Sequence, residues 1–287
     1  SHWREVIALT WTISTTSGRM EIAERLAQSA LLMEAKNFQI DLNRQEPRVV
    51  ERAGERVIEL ILKFETKVGQ GAALVRFKYS SNDSQVTSAW TLHTTLESIW
   101  GHEESTIKAL RADPVINRDF NGPNWLDKRN KSHRFEDREP AVLIVGGGHA
   151  GLSVAARLGQ LGVDSLVVDK EKRVGDNWRL RYHGLMLHNQ VHSNHLPYMN
   201  FPSTWQAYLP KDRIANWLEM YVDCMDIAFW TETSFEGATY DVQQKAWSAQ
   251  LKLKDGSIRQ MRPRHIIMAT SVSGTPNIPK IPVSYTH

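Results

Sequence analysis

A single cysteine, Cys224, stands among the 287 residues, so no internal disulfide can form, and the chain points to a reducing, cytoplasmic compartment. Its plain reading is a small buried side chain. Without a CxxC pair, dithiol–disulfide exchange chemistry is excluded as well. No apolar run reaches the 18 residues needed to cross a bilayer as a helix, so no transmembrane segment is expected. The opening SHWREVIALTWTIS lacks the basic start, apolar core and small-residue cleavage site of a secretory signal. It reads as the inside of a domain, so the chain is expected to begin mid-gene. Charge of one sign is also missing: 35 Lys and Arg face 32 Asp and Glu, and the two kinds are interleaved, as in DKRNKSHRFEDRE at 127–139. Nucleic acid is therefore not an expected partner. His188, His192 and His195 have helical spacing, but no HExxH glutamate accompanies them and Pro197 follows at once, so no metal site is expected.

What the sequence does contain fits two domains at this length. From about 3 to 33 apolar residues recur at helical spacing, with Ile22, Leu26, Ala30 and Met33 on one face of an expected helix. VIELILKFET, GAALVRFKYSS and SAWTLHTTLESI, between Val57 and Leu96, then read as strands separated by turn-forming GQG and SSNDS. A helix followed by an antiparallel meander implies a small α+β domain over 1–111. The polar stretch at 112–139 reads as a solvated linker, and an α/β domain is expected over 140–287. Trp90, Trp100, Trp217 and Trp247 lie in apolar-patterned segments and read as core.

The chemistry concentrates after the linker. AVLIVGGG is an apolar run of the kind buried on both faces of a parallel sheet. HAGLSVAARLGQLG follows with helical patterning, and DSLVVDK closes a strand–helix–strand unit. Gly146-x-Gly148-x-x-Gly151 falls where the first strand ends and the helix begins, and Asp169 ends the second strand. Gly146 permits the tight turn, Gly148 lets a pyrophosphate approach the backbone, and Gly151 lets helix pack closely on strand. The diphosphate would rest on the unpaired N–H groups at the positive end of the helix. Asp169 would accept hydrogen bonds from ribose hydroxyls, which favours FAD or NAD over a 2′-phosphorylated ribose. In WSAQLKLKDGSIRQM, Asp255-Gly256 lies between two alternating runs and predicts a hairpin ahead of a returning strand HIIMAT.

From Asp169 onward the sequence resembles the class B flavin-containing monooxygenases, above all their fungal and YUCCA-type members. GxGxxG, an acid and then G-x-x-W form that family's FAD signature, matched here by Gly175 and Trp178. LHNQ…HLPYMNFP is similar to the family's stretch along the flavin, TWQAYLPKDRIANWLEMY to the helix after it, and HIIMATSVSGTPNIPKIP to its second FAD-contacting strand. WREVIALTW and AWTLHTTLESIWGHEE resemble the SnoaL-like cone that precedes the flavin domain in fungal members.

The resemblance implies an incomplete SnoaL-like α+β cone followed by a Rossmann-like FAD-binding domain. It implies a reaction in which NADPH reduces FAD and a flavin hydroperoxide passes one oxygen from O2 to a small organic substrate. Gly146, Gly148, His149, Ala150, Gly151, Asp169, Lys170, Gly175, Trp178, Arg179, His188, Asn189 and Thr270 are then expected on the FAD, with Asn189 as the candidate catalytic residue. Two departures stand out: the family's ATG glycine is Ser271 here, and the family's second GxGxxG, which holds NADPH, does not occur. The chain is therefore expected to be truncated and inactive alone, the alternative being a non-catalytic fragment that binds FAD weakly or serves in folding or interaction. The N-terminal domain would offer a homodimer surface.

Overall fold

The computed structural model describes residues 1–80, 85–102, 104, 120–271 and 274. By its contacts the chain divides into two compact units, Ser1–Glu104 and Ser105–His287.

The first unit contains β1 (His2–Val6), β2 (Ile13–Ser17), α1 (Arg19–Leu32), β3 (Lys36–Ile40), β4 (Arg48–Arg52), β5 (Glu55–Glu65), β6 (Gly69–Ser80) and β7 (Gln85–Ile99). These strands form one seven-stranded sheet in the order β2-β1-β7-β6-β5-β3, with β4 also paired to β5. The three long antiparallel strands β5, β6 and β7 lie where alternation of apolar residues placed them. The expected helix over 3–33 is corrected at its first half. Residues 2–17 form an antiparallel hairpin, β1 with β2, and β1 also pairs in parallel with β7.

Its physical reason is a polar anchor that helical spacing cannot register. Glu5 is buried, takes the N–H groups of Leu9 and Thr10 on Oε1 at 2.7 and 3.0 Å, and accepts the Thr94 hydroxyl on Oε2. Trp3 Nε1 donates to the same Thr94 hydroxyl at 2.8 Å, which ties β1 to β7 across most of the unit's sequence. On α1, Ile22 and Leu26 pack on the core formed by Trp3, Phe64 and Val75, and Met33 is buried in it.

The second unit opens with α2 (Trp125–His133), inside the stretch expected to be a solvated linker. Asn124 caps it: the Asn124 side chain accepts from the Asp127 N–H and the Asp127 carboxylate accepts from the Asn124 N–H, each at 3.0 Å. Phe135, just beyond, is buried against the sheet, so residues 124–135 belong to the fold and not to a spacer. Residues 112–119 of that expected linker lie outside the described residues.

β8 (Val142–Val145), α3 (His149–Gln160) and β9 (Ser165–Val168) make the expected strand–helix–strand unit. α4 (Asp176–Arg179), α5 (Lys211–Cys224), β10 (Phe229–Trp230), β11 (Ser234–Asp241), β12 (Ala246–Lys252), β13 (Ile258–Met261) and β14 (His265–Met268) follow. Four strands form a parallel sheet in the order β10-β9-β8-β14.

The two faces of β8 show why its sequence is uniformly apolar. Val142 and Ile144 pack with Leu152, Ala155 and Ala156 of α3 and Ile214 and Leu218 of α5. Leu143 and Val145 pack on the other side with Ala249, Leu251 and Met261 of the antiparallel β11-β12-β13 sheet, which contains the predicted hairpin. Period-two alternation thus splits one strand between two cores. Cys224 is exposed at the end of α5, contrary to its expected burial. Trp217 is core as expected, but Trp100 is 41% exposed, and its ring Nε1 donates to the Thr66 carbonyl.

Candidate functional site

The glycine turn sits at the C-terminal end of β8, where open parallel sheets bind ligands. Gly146 has φ 109, a conformation L side chains avoid, and a Cβ there would stand 2.6 Å from the Ala269 carbonyl oxygen. A Cβ on Gly151 would overlap the Gly146 carbonyl oxygen, so the first turn of α3 can lie on β8 only without one. A Cβ on Gly147 would overlap the Phe229 ring. Gly148 differs: it caps α3 at φ −84 and ψ −171, and a Cβ there would meet, within 4 Å, Asn177 Nδ2 alone, at 3.2 Å. Three glycines thus answer to the protein's own packing, and the fourth keeps a space clear.

Gly148 lends α3 no side-chain cap, and the first intrahelical bond runs from the Leu152 N–H to the Gly148 carbonyl at 3.0 Å. The N–H groups of His149, Ala150 and Gly151 therefore have no acceptor within the helix. An anion placed there also meets the positive end of the helix dipole, a gain of roughly 0.3–1 kcal/mol when exposed and up to about 2 when partly buried.

Asp169, at the end of β9, is held by the turn it serves. Its Oδ2 accepts the Gly147 N–H at 2.6 Å and its Oδ1 the Glu171 N–H at 3.0 Å. Each carboxylate oxygen keeps a second lone pair that can accept a further hydrogen bond. Gly147 escaped the sequence reading, because its role is a backbone contact that no residue-type pattern encodes.

Among the described residues, two buried ring nitrogens beside this turn lack a hydrogen-bond partner: His149 Nε2 and Trp178 Nε1. Their rings lie 5.5 Å apart. Burial pushes the His149 imidazole below its ordinary value, so it is neutral near pH 7. An unpaired buried polar atom costs about 1–3 kcal/mol, and a polar ligand group brought within reach of either nitrogen would relieve that cost. The open space before Gly148, the free N–H groups of α3, Asp169 and these orphaned nitrogens together fit an adenine dinucleotide.

The other expected residues are distributed unevenly. Ala150 and Lys170 are exposed beside the turn. Gly175, at φ 87, faces the backbone of Ala215 on α5, 2.5 Å from where its Cβ would be, so packing of α4 on α5 accounts for it. The Arg179 guanidinium is engaged by the Val174 carbonyl at 2.6 Å, Asp176 at 3.0 Å, Asn216 at 3.0 Å and Glu219 at 3.2 Å. It fastens α4 to α5. His188 and Asn189 lie exposed on the loop before a single 3-10 turn, Val191–Ser193, where the Asn189 carbonyl accepts the Asn194 amide at 3.3 Å. His188, His192 and His195 share no α-helix; His195 Nδ1 instead accepts the Phe201 N–H at 3.0 Å.

Thr270 is exposed where the chain leaves β14, and its N lies 3.3 Å from the position of a Gly146 Cβ. Ser271 has φ 66, a left-handed conformation in which glycine is the ordinary occupant. The PNIPKIP segment after it lies outside the described residues.

Comparison with known proteins bears on this half of the chain. Residues 144–208 match the family model described as an NAD(P)-binding Rossmann-like domain. The indole-3-pyruvate monooxygenase YUCCA1 of Oryza sativa subsp. japonica is 29% identical over 158 residues, 55% of this chain and 38% of that protein. An uncharacterized CzcO-like oxidoreductase of Geobacillus kaustophilus (strain HTA426) is 36% identical over 86 residues, 30% of this chain and 25% of that protein. Among solved structures, a flavin-containing monooxygenase from Stenotrophomonas maltophilia is 21% identical with a TM-score of 0.43, over 49% of this chain and 41% of that one. The chain is thus homologous to YUCCA- and CzcO-type oxidoreductases over about half its length, and spans little more than a third of the YUCCA relative.

Proposed function

We propose that the second unit holds FAD and is the FAD-binding portion of a class B flavin monooxygenase, which takes reducing equivalents from NADPH and places one oxygen atom of O2 on a small organic substrate. The observation that carries this reading is the turn itself. Gly148 is the one glycine of the four whose Cβ would meet, among the described residues, neither backbone nor a ring but only the end of the Asn177 side chain, and it stands at the N–H-rich end of α3. Homology to an indole-3-pyruvate monooxygenase supports the reaction class.

Bound FAD would supply the redox chemistry; the protein supplies position and dryness. The N–H groups of His149, Ala150 and Gly151 hold the diphosphate, and the Asp169 carboxylate accepts from the ribose hydroxyls. His149 and Trp178 pair their buried ring nitrogens with the same ligand. Lys170 and Thr270 flank the turn, and His188 and Asn189 are the residues proposed to meet the flavin end. The 287 residues contain one GxGxxG, which FAD occupies in this reading. For the first unit we keep the proposal of a SnoaL-like α+β fold, supported by α1 lying on one face of a largely antiparallel sheet.

A titration tests the reading. FAD added to the purified chain should bind saturably, with ADP competing and FMN, which lacks the adenylate half, failing to compete. Competition by FMN and not by ADP would place the ligand away from the turn and defeat the assignment.

A further inference from the structure

Neither backbone conformation nor close backbone packing requires glycine at position 148. Its φ of −84 suits any residue, and the packing around it leaves the Cβ position free but for one side chain. That side chain is Asn177, whose Nδ2 stands 3.2 Å from where the Cβ would be. Asn177 is exposed, and among the described residues its carboxamide has no hydrogen-bond partner.

It does not hang on a loose loop. Gly175 presses α4 against Ala215, and Arg179 ties the same short helix to Asn216 and Glu219. The amide is thus carried by an anchored turn to the mouth of the space where a ligand's diphosphate would meet the backbone. An uncharged carboxamide can turn its two N–H donors to an anion at no cost in buried charge. It would add a side-chain donor to the backbone donors of α3.

We propose that Asn177 is a ligand-binding residue of this site, donating a hydrogen bond from its carboxamide to the diphosphate of the bound dinucleotide. The proposal rests on the reading of the turn as a dinucleotide site and goes beyond it, because neither the glycine pattern nor G-x-x-W calls for a polar residue at this position. A hydrogen bond to a charged group corresponds to roughly a ten- to hundredfold change in affinity.

The test uses FAD and ADP as probes against the full chain, with the melting temperature of each variant measured alongside. Asn177→Ala should weaken both ligands at least tenfold. Asn177→Asp, which is isosteric but sets a carboxylate against the diphosphate, should weaken them further. Independently, ADP should shift the side-chain amide proton resonances of Asn177 in the wild-type protein.

Wild-type binding of both probes with unchanged affinity in the two variants would overturn the role of Asn177 and leave the dinucleotide site standing. So would an aspartate variant that binds as well as the alanine variant, or amide resonances that ADP leaves in place. Absence of wild-type binding to either probe would remove the site and the proposal with it.

Discussion

At the scale of single residues, a carboxylate's environment decides how far its charge can be used. Glu59 is buried, which by itself would raise its affinity for a proton. Arg48, Arg76 and Arg52 outweigh that, through contacts of 2.8, 2.7 and 3.2 Å, and hold its carboxyl at about 2 against an ordinary 4.5. Because the folded value lies below the unfolded one, the stability it supplies is complete above pH 4.5 and disappears as pH falls toward 2. Denaturation of wild type and Glu59→Gln across that range should show a gap that is constant above pH 4.5 and narrows below it. A gap independent of pH would contradict the account. The turn glycines illustrate what residue type can and cannot disclose. Gly146, Gly148 and Gly151 were legible because each lacks a side chain for a reason attached to the motif. Gly175 and Arg179 were expected on the FAD from the family resemblance; in the structure Gly175 lies against Ala215 and Arg179 is engaged by Asp176, Asn216 and Glu219. Asn177 gave no signal, since a polar residue between two motif positions fits any exposed turn.

Elements were legible where local pattern and tertiary demand agree. β8, α3 and β9 were readable because a strand buried on both faces must be apolar throughout, and a glycine turn must separate it from the helix. The β12–β13 hairpin was readable from Asp255-Gly256, with Gly256 at φ 83. The hairpin β1–β2 was not, because what stabilises it is distant: β7 pairs with β1, and Glu5 binds Thr94. Helical spacing within residues 3–17 was coincidental, and the β-branched run in TWTISTT was the available contrary signal. α2 was hidden in a charged stretch whose cap, not its hydrophobicity, announces it. Asn124→Ala should therefore lower the unfolding free energy of the second unit by about 1 kcal/mol in chemical denaturation. An unchanged value would mean that the capping box contributes nothing and that this segment is retained by its other contacts, Phe135 packing and the Arg129–Asp226 ion pair among them.

On the scale of the whole molecule, the chain contains two separately cored units, and the chemistry gathers in one of them. Among the described residues no helix is long and apolar enough to cross a membrane, and no group of three metal-ligating side chains occurs. The second unit combines a parallel sheet, a glycine turn and a helix end exposing N–H donors, an arrangement whose most economical occupant is an adenine dinucleotide. The decisive measurement is the FAD affinity of Gly148→Val, in which a side chain fills the space that the fold leaves clear. Because φ −84 suits any residue and the Cβ would meet, among the described residues, only the end of the Asn177 side chain, the variant should still fold, with a lowered melting temperature because valine is a poor N-cap, and bind no FAD. A folded Gly148→Val protein that binds FAD as tightly as the wild type would show that the ligand does not lie on this turn.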